Sequence, residues 1–307
     1  MPNILEQIAA ATRKRVARDK EQIPAARMRE LAEALAAAPA PAAAAPAPAR
    51  AAAPAAAEAL AAAPGSEPGS DPASFPFEAA LRGPGLGFIC EVKKASPSKG
   101  IIAEDFPYLD IARSYEAAGA EAMSVLTEPQ WFLGSDSYLE EITRTVATPC
   151  LRKDFVVDSY QIYQAKTLGA SAVLLICSLL DTAILREYLQ LAHSLGLSAL
   201  VETHDAAEID SAQAAGARII GINNRNLKDF SVDLATAGQL RARIESTALV
   251  VAESGVRGAA DVEALAAGGA DAVLVGEALM RSADKVGVLA QWRQAAARVV
   301  APAQEKE

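Results

Sequence analysis

With 307 residues, 51% of them hydrophobic, the chain carries enough apolar side chain for one large domain or two ordinary ones. Its formal charge of -9 argues against a sequence-independent nucleic-acid binder, which needs excess Lys and Arg to displace counterions from phosphates. The two histidines and three cysteines lack metal-site or CxxC spacing, no run reaches membrane-span length, and no signal-peptide core opens the chain. These features predict a cytoplasmic protein with no metal site and no membrane partner, whose thiols Cys90, Cys150 and Cys177 stay reduced and buried in apolar strands.

In chain order, residues 1–30 read as a helical extension. Asn3 caps a helix whose apolar positions Leu5, Ile8, Ala9, Thr12 and Val16 share one side, so the helix needs a surface to lie on. Residues 31–73 read as a low-complexity, disordered linker. From 36 to 64 every residue is Ala or Pro except Arg50, Glu58 and Leu60, and repeated proline blocks the helix that alanine favours. Residues 74–300 read as one large domain and 301–307 as a flexible tail.

Within that domain a unit recurs: an apolar run, a polar loop, an amphipathic segment and a glycine turn. The turns at Gly119, Gly169, Gly196, Gly216 and Gly269 each end a helix before a strand. Eight apolar runs, at 88–93, 122–127, 149–155, 172–177, 198–202, 218–223, 249–253 and 271–276, predict an α/β fold of the (β/α)8 barrel type. The rival is a doubly wound open sheet, which normally places GxGxxG directly after its first strand. Here the glycines Gly83, Gly85 and Gly87 precede that strand and read as a linker turn.

Barrel chemistry gathers at the C-terminal strand ends, and nearly every end here is polar. Glu91 and Lys93 close the first strand, Ser124 the second, Lys153 the third, Glu202 the fifth, Asn223 and Arg225 the sixth, and Glu253 and Ser254 the seventh. A core built for stability would use Val, Ile and Leu at these positions; carboxylates and amines converging on one mouth suggest proton transfer. A lysine acting as acid at neutral pH needs a pKa lowered by roughly 2 to 3 units, through burial and a neighbouring cation. Lys93 and Lys153 are placed to do this to each other. Glycine turns after the last two strands, at Gly255 and at Gly276 with Glu277, suit a phosphate at backbone N–H groups, and Ser96 and Lys99 in the first loop reach toward the same anion.

Six motifs now stand in order: residues 91–100, Leu126-Thr127-Glu128-Pro129, residues 131–135, Arg152-Lys153-Asp154-Phe155, residues 221–227 and Ala252-Glu253-Ser254-Gly255. Together they resemble indole-3-glycerol-phosphate synthase, from about Phe75 to Met280. The resemblance implies ring closure of 1-(o-carboxyphenylamino)-1-deoxyribulose 5-phosphate, with loss of CO2 and water, in tryptophan biosynthesis. It implies Lys153 as general acid, with Lys93 able to share that role, and Glu202 in the dehydration. Glu91 and Glu253 would hold the charged network and the sugar hydroxyls, and Asn223 would orient the intermediate. Arg225 would lie near the anthranilate carboxylate, Phe132, Phe155 and Leu227 would form apolar walls, and Ser96, Ser254, Gly255 and Gly276 would bind phosphate. It implies no cofactor, and other tryptophan-pathway enzymes as candidate partners. Glu277 stands where some members carry serine. Two alternatives stay open on the residues alone: a Schiff-base aldolase using Lys153, and a barrel that binds a phosphorylated ligand without turnover.

Overall fold

The computed structural model describes residues 3–38, 75–226 and 230–300. Eight parallel strands close into a barrel: β1 (Gly87–Val92), β2 (Ala122–Leu126), β3 (Cys150–Lys153), β4 (Ala172–Ile176), β5 (Ser198–Thr203), β6 (Ile219–Asn223), β7 (Leu249–Glu253) and β8 (Ala272–Val275). They are the eight apolar runs, in order, each within about a residue or two of its expected bounds. β1 closes the ring by pairing with both β2 and β8. All five unit-ending glycines adopt positive φ, from 69° to 90°, the left-handed turn that lets each helix stop and the chain enter the next strand.

Alternation along the strands divides the apolar residues between two cores. Ile89, Leu151, Leu174, Leu200, Val251 and Leu274 point inward and fill the barrel, while their neighbours meet the outer helices. The lower end of the barrel is plugged by Phe77 and Leu81 from a short helix, Pro76–Leu81.

Helix α1 (Ile4–Gln22) begins at Asn3 with a reciprocal capping box to Glu6, and it buries Leu5, Ile8, Ala9, Thr12 and Val16 as their spacing predicts. A second helix, α2 (Ala25–Ala37), corrects the expected boundary of the extension. Residues 31–37 are helical and not linker, because Met28 and Ala32 find a surface on the barrel and burial outweighs weak local signals. Val16 and Met28 pack on Tyr160, whose hydroxyl donates to the carbonyls of Asp19 and Ile23. The Ala/Pro-rich tract from 39 onward and the C-terminal tail lie outside the described residues. Among the described residues no helix is long and apolar enough to cross a membrane.

Candidate active site

The barrel register brings the polar strand ends to one level. Glu91 pairs in register with Ser124, Leu126 with Lys153, Ile176 with Glu202, and Asn223 with Glu253. At the centre the Lys153 ammonium sits between two carboxylates, 3.1 Å from Glu202 Oε2 and 3.2 Å from Glu253 Oε2. Asn223 Nδ2 donates to the other Glu202 oxygen at 3.0 Å, and Asn223 Oδ1 accepts the Arg225 backbone N–H at 3.0 Å. Lys93, just past the end of β1, pairs with Glu91.

Two glycines make room for this cluster. A Cβ on Gly221 would collide with Glu253 Oε1, and a Cβ on Gly276 with Glu91 Oε1 and the Lys93 ammonium. The carboxylates therefore occupy volume that any other residue would fill. Glu253 Oε1 is buried with no hydrogen-bond partner among the described residues, leaving a strong acceptor facing Gly221.

The electrostatics correct one expectation. Burial alone would lower the Lys153 pKa, but Glu202, Glu253 and Glu91 outweigh it and hold the amine as an ammonium, above its ordinary value. Lys93 does not depress Lys153, because Lys93 is engaged by Glu91 and carboxylates stand between the amines. The strain falls on the carboxylates instead. Burial pushes Glu253 up to about 7, with Glu202 adding to the rise and Lys153 opposing it. Glu202 is held well below the usual carboxylate range because Lys153, His204 and Asn223 overcome its burial. Two buried carboxylates on one ammonium thus acquire opposite tendencies, one to keep a proton and one to stay charged. An ammonium held this tightly is a poor Schiff-base nucleophile, and it gives up its proton only to an oxygen on which negative charge is developing.

Above the cluster opens a cavity of about 780 Å³. Ser96, Lys99, Ser254, Gly255, Gly276 and Glu277 line one side of it. Ser254 and Gly255 both have positive φ, 65° and 97°, so the chain turns sharply after β7. Glu277 opens the helix Glu277–Arg281 and is not a lone charge: Arg281 Nε lies 3.2 Å from one of its oxygens and Lys99 Nζ 3.7 Å from the other.

On the other side of the cavity Phe132 and Phe155 face each other with ring centroids 6.0 Å apart. The loop bearing Phe132 is held by Glu128, a buried carboxylate that accepts the N–H groups of Gln130, Trp131 and Phe132 at 3.0, 2.7 and 3.0 Å. Ser124 is fully buried beside β1, its hydroxyl unpartnered, and it does not line the cavity; alternation aims it inward but below the mouth. Leu227 lies outside the described residues.

Three contributions escaped the reading of the sequence. Ile4, Leu5 and Ile8 of α1 line the cavity, which apolar spacing alone cannot distinguish from packing on a helix. Arg15 of the same helix binds Asp154 at 2.5 Å, tying α1 to the residue after Lys153. His204 stands beside Glu202; its signal was position, two residues on from Glu202 and so on the same face. Among the described residues no group of three or more His, Cys, Asp or Glu side chains is placed to hold a metal ion.

A closed parallel barrel with a carboxylate–lysine cluster at its C-terminal mouth defines the class: a (β/α)8 enzyme built for acid–base chemistry. The indole-3-glycerol phosphate synthase family model matches residues 51–291. An indole-3-glycerol phosphate synthase of Ruminiclostridium cellulolyticum is 58% identical over 222 residues, covering 72% of this chain and 85% of that protein. One of Lactiplantibacillus plantarum is also 58% identical, over 71% of this chain and 84% of that one. Among solved structures, a 3-hexulose-6-phosphate synthase from Salmonella typhimurium superposes with a TM-score of 0.54 at 17% identity, over 70% of this chain and all of that one, a likeness of fold alone. The chain belongs to the indole-3-glycerol phosphate synthase family, carboxy-lyases of tryptophan biosynthesis.

Proposed function

We propose that the cavity takes 1-(o-carboxyphenylamino)-1-deoxyribulose 5-phosphate and closes its indole ring, and that the residues of the mouth divide the proton transfers among them. The observation that carries this reading is the Lys153 ammonium held between Glu202 and Glu253. Lys153 donates a proton to the ketone oxygen as the aromatic carbon attacks the ketone carbon. CO2 then leaves that aromatic carbon and its bonding electrons restore the ring. The new hydroxyl takes a second proton, from Lys93, and departs as water, while Glu202, kept ionised, accepts the proton lost from the adjacent carbon as the double bond forms. Glu253, with its raised proton affinity, and Glu91 hold the sugar hydroxyls, while Asn223 orients the intermediate. Lys93 sits close enough to Glu91 to share the acid role.

The phosphate belongs at the Ser96, Ser254, Gly255 and Gly276 side of the cavity, where backbone N–H groups and the Lys99 amine meet an anion. The Glu277 carboxylate, engaged by Arg281 and Lys99, leaves its backbone N–H for the phosphate. Arg225 meets the anthranilate carboxylate, and the two phenylalanines, in contact with each other, form an apolar wall beside the aromatic ring. Free Cys90, Cys150 and Cys177 suit the cytoplasm, and enzymes of the same pathway are the candidate partners.

The purified chain is incubated with the carboxyphenylamino-deoxyribulose phosphate and indole fluorescence is followed. The expected result is a rise in the wild type that Lys153→Ala abolishes; no rise in the wild type removes the reading.

A further inference from the structure

His204 is a half-buried histidine with no part in the proton transfers described. It follows β5 directly and does not itself line the cavity. Each ring nitrogen meets a carboxylate: Nδ1 lies 3.0 Å from Glu208 Oε2, and Nε2 lies 3.4 Å from Glu202 Oε1. The first contact is anchored twice more. The His204 backbone N–H donates to the same Glu208 oxygen at 2.8 Å, and Ser178 Oγ donates to the other oxygen at 2.5 Å. Nε2, by contrast, is a buried atom out of hydrogen-bond alignment, so its contact with Glu202 is one of charge. In free enzymes such contacts are often long and tighten when substrate binds.

The groups facing this imidazole are therefore Glu202 from β5, Glu208 from the helix Ala206–Ala215, and Ser178 from the turn after β4. Burial disfavours a charged ring, but its contacts with the Glu202 and Glu208 carboxylates raise its pKa to about 10, which keeps it an imidazolium at neutral pH. Glu202 is thus flanked by two cations, the Lys153 ammonium on one oxygen and the imidazolium on the other, with Asn223 as a neutral donor.

We propose that His204 is a positioning residue for Glu202: braced by Glu208 and Ser178, it fixes the carboxylate's orientation and keeps it ionised as the proton acceptor of the dehydration. The chain of contacts Ser178–Glu208–His204–Glu202 leads from the outer helix to the carboxylate at the mouth. The inference rests on the reading that Glu202 carries proton transfer.

The test compares pH profiles of kcat and kcat/KM for the wild type, His204→Gln, Glu208→Gln and Glu202→Gln. Loss of the imidazolium raises the proton affinity of Glu202, so the acid limb of kcat in His204→Gln moves up by about one pH unit, a tenfold change in affinity. Glu208→Gln, which loosens the brace and leaves the imidazole, moves it in the same direction by less. KM changes little in either, because neither side chain lines the cavity. Loss of turnover by one constant factor at every pH, with the limb unmoved in both variants, overturns the proposal and makes His204 structural. Wild-type turnover in Glu202→Gln instead removes the reading beneath it, and the two failures are told apart by which variant shows them.

Discussion

Both ends of this barrel bury carboxylates with cations, in opposite proportions. At the lower end Glu78 is shared by two guanidiniums, Arg82 and Arg218, each at 2.8 Å, and Arg218 lies over the Phe75 ring at 4.0 Å. One anion meets two cations beside a cavity of about 450 Å³. At the mouth the innermost ring sets Glu91, Glu202 and Glu253 against Lys93 and Lys153. Carboxylates outnumber amines there, and burial, with the charge of Glu202 adding to it, drives one of them, Glu253, to hold its proton near neutrality. A surplus of one sign in a confined space turns an ion pair into an acid and a base; a balanced or reversed ratio makes an anchor.

The largest effect that tests the contrast comes from the mouth. Lys153→Ala and Glu202→Gln are each expected to lower turnover by about 10² to 10⁴-fold with the fold retained, measured by indole fluorescence and far-ultraviolet circular dichroism. Wild-type-like turnover in both would erase the distinction between the two ends. Next in size, Glu78→Gln strands two guanidiniums and is expected to destabilise the protein by about 3 kcal/mol in urea unfolding, with kcat unchanged. Lost turnover without lost stability would mean that the lower end matters to catalysis.

Glu253 sharpens the comparison through pH. Its pKa is raised from an ordinary 4.5 to about 7 in the folded state, so the folded chain binds that proton more tightly than the unfolded chain. Stability from this group is therefore full below about pH 4.5 and is lost as the pH rises through about 7. Glu253→Gln is expected to be more stable than the wild type by about 1 to 3 kcal/mol at pH 8, and the gap should close toward pH 5. A constant gap across that range would place the burden elsewhere. The smallest effect concerns the exposed trio Lys99, Glu277 and Arg281. Glu277→Ser frees Lys99 for the phosphate, and KM is expected to fall by about 2 to 5-fold in low salt, the worth of an exposed pair, and by less in high salt.

Much of the fold was legible because its signals are local and periodic. Strand alternation placed Leu151 and Lys153 on the inner face, and the glycine turns marked each unit's end. The N-terminal helix was readable to the residue at its cap, since Asn3 and Glu6 lie three positions apart. The second helix was missed past residue 30, because its alanine-rich end resembles the tract beyond it until Met28 and Ala32 meet the barrel. Ser124 shows the limit within the site itself. Period two gave its face correctly but not its depth, and depth decides whether a hydroxyl reaches substrate.

The sequence by itself determined the eightfold repeat, the shared face of the polar residues on the first, third, fifth, sixth and seventh strands and the types of group at their ends, since each depends on neighbours a few residues apart. Only the tertiary structure decided which charges touch. Lys153 and Glu253 are 100 positions apart in the chain and 3.2 Å apart in space, and that proximity holds Lys153 as an ammonium where a pair of lysines would have neutralised one. Charge interactions fall with distance through space and ignore distance along the chain, so the direction of a pKa shift is settled only once the barrel is closed.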